Sequence, residues 1–385
     1  MELTGKLRTE SGQNRAGLSA AFCALAFAAY CAALLFYPNQ VRDSTLQSIL
    51  YCLTVLTPSL FPFMALTSFA VNSGANEVIG RLLGGISKYV FRLPKACTAT
   101  IFLSFIGGYP AGARGVSLLL EEGAVDREQA GRMLLFCVNP GIAFVVTFLG
   151  GTILGSFAAG WMLFFSVCIA GILLGFLTGL RAKLPKEAPR AEAGKSRQGA
   201  LIRCATDASS SVVKMCACVV LFSGFTAILH GSGLFGLLTH ALSLPQIFTP
   251  MECASLLSFF IEVTGGAGDA AALGVGPAFF AFGLAFGGLC IHLQVFSFFR
   301  DAPVKKGKFL LFRFLHGLLA ALVYLGLSRL FPRATATLAS APAGAALGGL
   351  GMTAAGGISL LLLCAAFLLI ATKGREDCGN DKKLL

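Results

Sequence analysis

The sequence predicts an all-α polytopic membrane protein built from two inverted repeats, each with a re-entrant hairpin and a broken helix, and about eight spanning helices in all. Three observations carry this. The 385-residue chain is 56% hydrophobic and only 12% charged, with a mean hydropathy of +0.79, whereas soluble domains are about a quarter charged. Its Lys and Arg residues gather in short segments between apolar runs, the bias of cytoplasmic loops. The net charge of +12 therefore points to membrane topology and a lipid bilayer, and not to nucleic acid. Finally, two apolar stretches, Thr100–Arg114 and Leu256–Ala270, break on glycines. At bilayer depth such a break must be buried in protein or line a wet cavity.

Taken in order, residues 1–45 hold a polar cytoplasmic N-terminus and a first membrane helix. Leu18–Tyr37 is long enough to cross about 30 Å of hydrocarbon, and Pro38–Arg42 lacks the small residues of a signal-peptide cleavage site. Residues 46–180 form the first repeat. Ser48–Val71 spans, with Pro58 and Pro62 inside it; each removes a helix hydrogen bond and bends the rod. Asn72–Lys95 reads as an interfacial amphipathic helix, Ala96–Leu120 as the first hairpin and Glu121–Arg132 as a charged loop. Met133–Gly151 is a span interrupted at Asn139-Pro140-Gly141, and Thr152–Leu180 is a plain span.

A basic cytoplasmic linker covers 181–210, with no hydrophobic periodicity over Arg181–Arg203. The second repeat, 211–308, contains the span Val212–His230, an interfacial piece Gly231–Thr249, the hairpin Pro250–Leu273, the span Pro277–Phe299 and the basic loop Arg300–Lys308. Residues 309–385 supply the last membrane helices, Phe309–Leu330 and Met352–Ala371, on either side of an Ala/Gly/Pro-rich connector, and a basic tail.

The order of elements repeats, and Leu93–Cys97 resembles Thr249–Cys253. That alignment sets Gly108 against Thr264 and Gly112 against Gly268. With both termini in the cytoplasm, 72–95, 121–132, 181–210, 300–308 and the tail fall inside, and these are rich in Lys and Arg; 231–250 falls outside and has neither. The halves then lie in opposite orientation, the pattern of secondary transporters. The bland alternative is ten plain spans with incidental glycines, which puts some charged loops on the wrong side.

The candidate solute-binding residues lie at the breaks. Gly107, Gly108 and Gly112 in the first tip, and Gly265, Gly266 and Gly268 in the second, let backbone approach a solute or let helices pack closely. Helix N-termini at the tips favour anions. Arg114 offers a planar fork of donors to an anion, or snorkels toward Glu121. Tyr109 and Pro110 shape the turn. Glu262, inside Phe259–Val263, is the sharpest case: an acid at that depth is a functional candidate, for a coupling proton or cation or for a solute, against the alternative of an acid bonded to hairpin N–H groups. Thr264 is a cation ligand or a cap, and Asp269 sits nearer the hairpin exit. Asn139, beside Pro140, and His292 and Gln294 in the second half are polar groups in apolar runs.

Thirteen cysteines sit mostly singly in apolar runs, where Cys acts as a small hydrophobe. Cys216-Ala-Cys218 is not CxxC and has no His at ligand spacing, so no metal site is read. No hydrolase, metalloprotease or nucleotide-binding motif is present, and the reading is not an enzyme.

At Ser59–Phe63, Gly107–Gly112, Asn139-Pro140 and Glu262–Gly266 the sequence resembles the sporulation integral membrane proteins of the YlbJ type, within the "nucleoside recognition" or Gate group. The resemblance runs from about residue 45 to residue 330. Gate domains are similar in plan to the core of concentrative nucleoside transporters, so the two repeats would be Gate-like, with two hairpins facing two interrupted helices. For the YlbJ type the resemblance implies movement of dipicolinate across a membrane around the developing spore, with fold analogy alone not fixing substrate.

The expectation is a multi-pass cell-membrane carrier for a small polar or anionic solute. It needs no cofactor beyond a coupling ion, H+ or Na+. Homo-oligomers or other sporulation membrane proteins are the protein partners it admits. The alternatives are a nucleoside or other metabolite carrier and, from another class, a non-transporting scaffold in spore envelope formation.

Overall fold

The computed structural model describes residues 24–332 apart from 26, 73–74 and 186–199. The expected span Met352–Ala371, the connector and the basic tail lie outside the described residues, as do the polar N-terminus, the start of the first span and residues 186–199 of the linker. Among the described residues every regular element is helical.

Helix α1, Phe27–Phe36, gives way at Tyr37 to α2, Pro38–Tyr51, with Pro38 in its first turn, where the missing N–H goes unused. Residues 38–47, between the expected spans Leu18–Tyr37 and Ser48–Val71, are therefore helical. A wide π-type turn, Cys52–Leu56, leads into α3, Thr57–Asn72, and the rod bends by 55° beside Pro58. The proline kink expected there is present.

Helix α4, Ala75–Gly85, continues as a π-type turn, Ile86–Val90; after a break a short 3-10 turn opens α5, Thr98–Ile106. The two arms meet at 106°. Gly107-Gly108 then turns the chain into α6, Tyr109–Glu121. Next comes α7, Arg127–Leu134, where a charged loop was expected. Asp126 accepts from the Gln129 N–H and the Gln129 side chain accepts from the Asp126 N–H, a capping box that starts the helix. Irregular chain through Asn139-Pro140-Gly141 separates α7 from α8, Ala143–Ile153, and α9 is Phe157–Leu180.

Helix α10, Ala200–Gly231, begins within the stretch read as linker. Its Thr206 and Ser209 hydroxyls bond back to the Ile202 and Ala205 carbonyls, so the polar residues that masked the helix are satisfied within it. Helices α11, Leu234–Ser243, and α12, Pro250–Ile261, follow. Then come α13, Val263–Ala272, α14, Pro277–Phe286, α15, Gly288–Ser297, and α16, Lys306–Leu330.

Four described helical stretches are long and apolar enough to cross a membrane: Phe157–Leu180, Ile202–Gly231, Pro277–Ser297, which is α14 continued by α15, and Lys306–Leu330. Counting each bent pair as one span gives six. Helix α16 shows the logic of such a span. It buries Phe309, Arg313, His316, Gly317, Ala320 and Tyr324 and exposes Leu311, Phe314, Leu318 and Leu322. Its polar groups face the protein and its leucines face outward, the reverse of a soluble helix. It packs on α14 and α9, while α10 packs on α2 and α3. A Cβ at Gly317 would come within 2.8 Å of the Phe282 ring, so the small residue sets how closely α16 approaches α14.

Candidate functional site

Two hairpins and two interrupted helices converge. In the first hairpin Gly108 has φ +93, open to glycine at little cost, and it precedes Tyr109 and Pro110 at the start of α6. This tip packs on the first interruption: a Cβ at Gly141 would stand 3.1 Å from the Gly108 nitrogen. In the second half, Gly287 and Gly288 both have positive φ, +88 and +73, and end α14 before α15 begins. A Cβ at Gly288 would stand 2.6 Å from the Phe259 carbonyl oxygen, so the second interruption lies against α12.

Glu262 is the residue between α12 and α13. Its backbone is extended, at φ −150, and its carboxylate caps α13. Oε1 accepts from the Thr264 N–H at 2.9 Å and Oε2 from the Gly265 N–H at 2.7 Å. An acid at a helix N-terminus satisfies otherwise orphaned N–H groups and meets the positive end of the helix dipole. The acid-on-backbone arrangement weighed from the sequence is thus present. It also means that the N–H groups of this tip are taken by the chain's own carboxylate.

A small cavity lies where these pieces meet. Gly108, Tyr109 and Pro110 line it from the first tip, and Glu262, Val263 and Thr264 from the second. Gly141 and Phe144 contribute from the first interrupted helix, and Ile291 and Gln294 from the second. Leu56 and Leu60, from the wide turn and α3, and Met215 and Val219 of α10 close the remaining side. The wall is mostly apolar, with polar groups at Glu262, Thr264, Tyr109 and Gln294. The Gln294 amide nitrogen donates to the Cys290 sulfur at 3.2 Å, and its Oε1 is buried without a partner.

Other residues singled out from the sequence fall elsewhere. Arg114 does not reach the cavity lining; it pairs with Glu121 at 3.1 Å and with Asp207 of α10 at 3.2 Å. Asp269 accepts from the Ser258 hydroxyl, tying the two arms of the second hairpin together. Gly107, Gly112 and Gly266 serve close packing: added Cβ atoms would meet Ala111, the Cys137 carbonyl and the Phe259 backbone. Gly265 is exposed and gives its N–H to Glu262. Asn139 is fully buried and donates to the Phe136 carbonyl at 2.8 Å, and its Oδ1 has no partner. The His292 Nε2 lies 2.9 Å from the Phe286 carbonyl oxygen. No group of His, Cys, Asp or Glu suited to a metal ion occurs among the described residues.

Sequence reasoning passed over Arg313. This side chain is completely buried. Nη1 donates to the Val138 carbonyl at 2.6 Å, Nε to the Phe286 carbonyl at 3.2 Å, and Nη2 to the Ala285 carbonyl. His316 lies with Nδ1 at 3.2 Å from Nη1 and Nε2 at 3.0 Å from the Val167 carbonyl oxygen. Interrupting a helix frees carbonyls, and one guanidinium collects those of both interruptions. Tyr109 adds a second link, donating from its hydroxyl to the Leu284 carbonyl at 2.6 Å. A lone Arg and His inside Phe309–Leu330 were legible signals under the rule that had singled out Glu262.

No family model matches the chain, and no solved structure matches it. Over 322 residues, 75% of this chain and 78% of the relative, it is 24% identical to the sporulation integral membrane protein YlbJ of Bacillus subtilis strain 168. The YlbJ-type resemblance carried by the short motifs at the breaks thereby extends along three quarters of an integral membrane protein.

Proposed function

We propose that this membrane protein is a carrier for a small polar or anionic solute, bound between two hairpin tips and two broken helices. The observation that carries the reading is the shared cavity, to which both tips and both interrupted helices contribute. Discontinuous helices meeting around one site are how secondary transporters build a site near the midplane. The carboxylate of Glu262 at that depth supports it as well, and gives a place for a coupling H+ or Na+. In this reading the halves are inverted Gate-like repeats, and access alternates between the two sides of the membrane.

Dipicolinate, moved across a spore-surrounding membrane, is the solute to which the YlbJ-type resemblance leads; uridine represents the nucleoside alternative. The test is uptake of each labelled compound into proteoliposomes containing wild type or Glu262→Gln. The carrier reading expects ion-driven accumulation of dipicolinate, abolished by the substitution while insertion stays normal. Uridine flux alone would keep the carrier and discard dipicolinate. Flux of neither, from correctly inserted protein, would favour the scaffold class, whose signature is a partner protein captured by the intact chain.

A further inference from the structure

The charges around the cavity set a condition on what enters it, which rests on the carrier reading and deepens it. Among the described residues that line the cavity, Glu262 carries the sole charge. Its carboxylate is fixed by the Thr264 and Gly265 N–H groups, so the helix N-terminus that would otherwise receive an anion is filled. The nearby cations are engaged or turned away. Arg114 is paired with Glu121 and Asp207. Arg313 is held by three carbonyls and His316. Lys214, next to the lining residue Met215, is exposed. Gln294 adds an unpartnered acceptor oxygen. In surroundings of low dielectric, a fixed carboxylate repels a second anion far more strongly than it would in water.

We infer that the cavity admits a solute of net negative charge only together with a proton or a monovalent cation at Glu262, whereas a neutral hydrogen-bond donor enters without either. Glu262 is the group on which this turns. The other titratable groups within electrostatic reach of it are Tyr51 and Cys52 from the α2–α3 junction, Tyr109 from α6, Asp269 from α13 and Cys290 from α15. Helices α8 and α14, which also pack on α13, bring none. Asp269 adds negative charge and makes an unaccompanied anion less welcome still.

Equilibrium binding of labelled dipicolinate and of labelled uridine to the purified full-length protein tests this. The range is about pH 6 to pH 8, where both dipicolinate carboxyls stay ionised, with Na+ present or replaced by choline. A proton at Glu262 tightens dipicolinate binding as the pH falls, by up to about tenfold per pH unit. A cation there tightens it on adding Na+ at fixed pH. In Glu262→Gln, dipicolinate binds with neither dependence, and uridine binding to wild type needs neither.

Dipicolinate binding to wild type that ignores both pH and Na+ would overturn the inference. So would a dependence that survives in Glu262→Gln, or exclusion of dipicolinate under every condition while uridine binds. Failure of both compounds to bind wild type under any condition would instead remove the carrier reading on which the inference rests.

Discussion

Arg313 donates to the Val138 carbonyl at 2.6 Å, joining residues 175 positions apart in the chain. The same guanidinium takes the carbonyls of Ala285 and Phe286. It therefore ties the interruption before α8 to the one between α14 and α15. Each buried carbonyl left without a donor costs about 1–3 kcal/mol. Arg313→Gln should lower the thermal unfolding midpoint of the purified protein sharply. Arg313→Lys keeps the charge but loses the planar fork, and should fall between the two. An unchanged midpoint in Arg313→Gln would contradict the assignment.

Gly112 and Gly268, paired by the repeat alignment, should respond differently to alanine. A Cβ at Gly112 would collide with the Cys137 carbonyl, whereas nothing lies within 4 Å of one at Gly268. Gly112→Ala should cost about 1–3 kcal/mol as an overpacked contact, or depress the yield of folded protein. Gly268→Ala should be neutral or slightly stabilising, since alanine is the better helix former. Equal effects in the same unfolding assay would refute the packing account.

Tyr109 should matter through its hydroxyl. The bond to the Leu284 carbonyl at 2.6 Å fastens the first tip to the end of α14. Tyr109→Phe keeps the ring and strands one buried acceptor, so a loss of about 1–3 kcal/mol is expected. The half-saturation concentration of solute flux should rise, because the tip that shapes the cavity is less firmly placed. A variant identical to wild type in both respects would show that the bond is incidental.

What could be read from the sequence divides along physical lines. The first breaks were legible because Gly and Pro write backbone conformation locally: Pro58 marks the 55° bend, and Gly108 takes positive φ. Gly287 and Gly288, also at positive φ, lie inside the stretch read as the single span Pro277–Phe299. Helix α7 was equally legible and was overlooked, since Asp126 and Gln129 spell a capping box three residues apart. The start of α10 was hidden by composition, because its polar residues bond back into their own helix. The destination of Arg114, the carbonyls that hold Arg313, and the α3 and α10 walls of the cavity depend on residues far apart in the chain. No local pattern encodes those meetings. Glu262 was singled out by its cost in an apolar run, but its capping role follows from the turn it occupies.

The inverted arrangement makes a prediction independent of transport. In a Cys-depleted background, Lys195→Cys and His240→Cys should react with a membrane-impermeant maleimide from opposite sides. Reaction from the same side would contradict two halves of opposite orientation.

The most direct test of the central claim is whether solute shields the cavity. Thr264→Cys and Gln294→Cys, each alone in the Cys-depleted background, replace cavity-lining residues of the second tip and the second interrupted helix. Maleimide labelling of both should slow when the transported compound, dipicolinate or uridine, is added at saturation, while His240→Cys labels at an unchanged rate. Labelling of both cavity positions that ignores solute, in protein that still transports it, would place the solute path elsewhere and contradict the account.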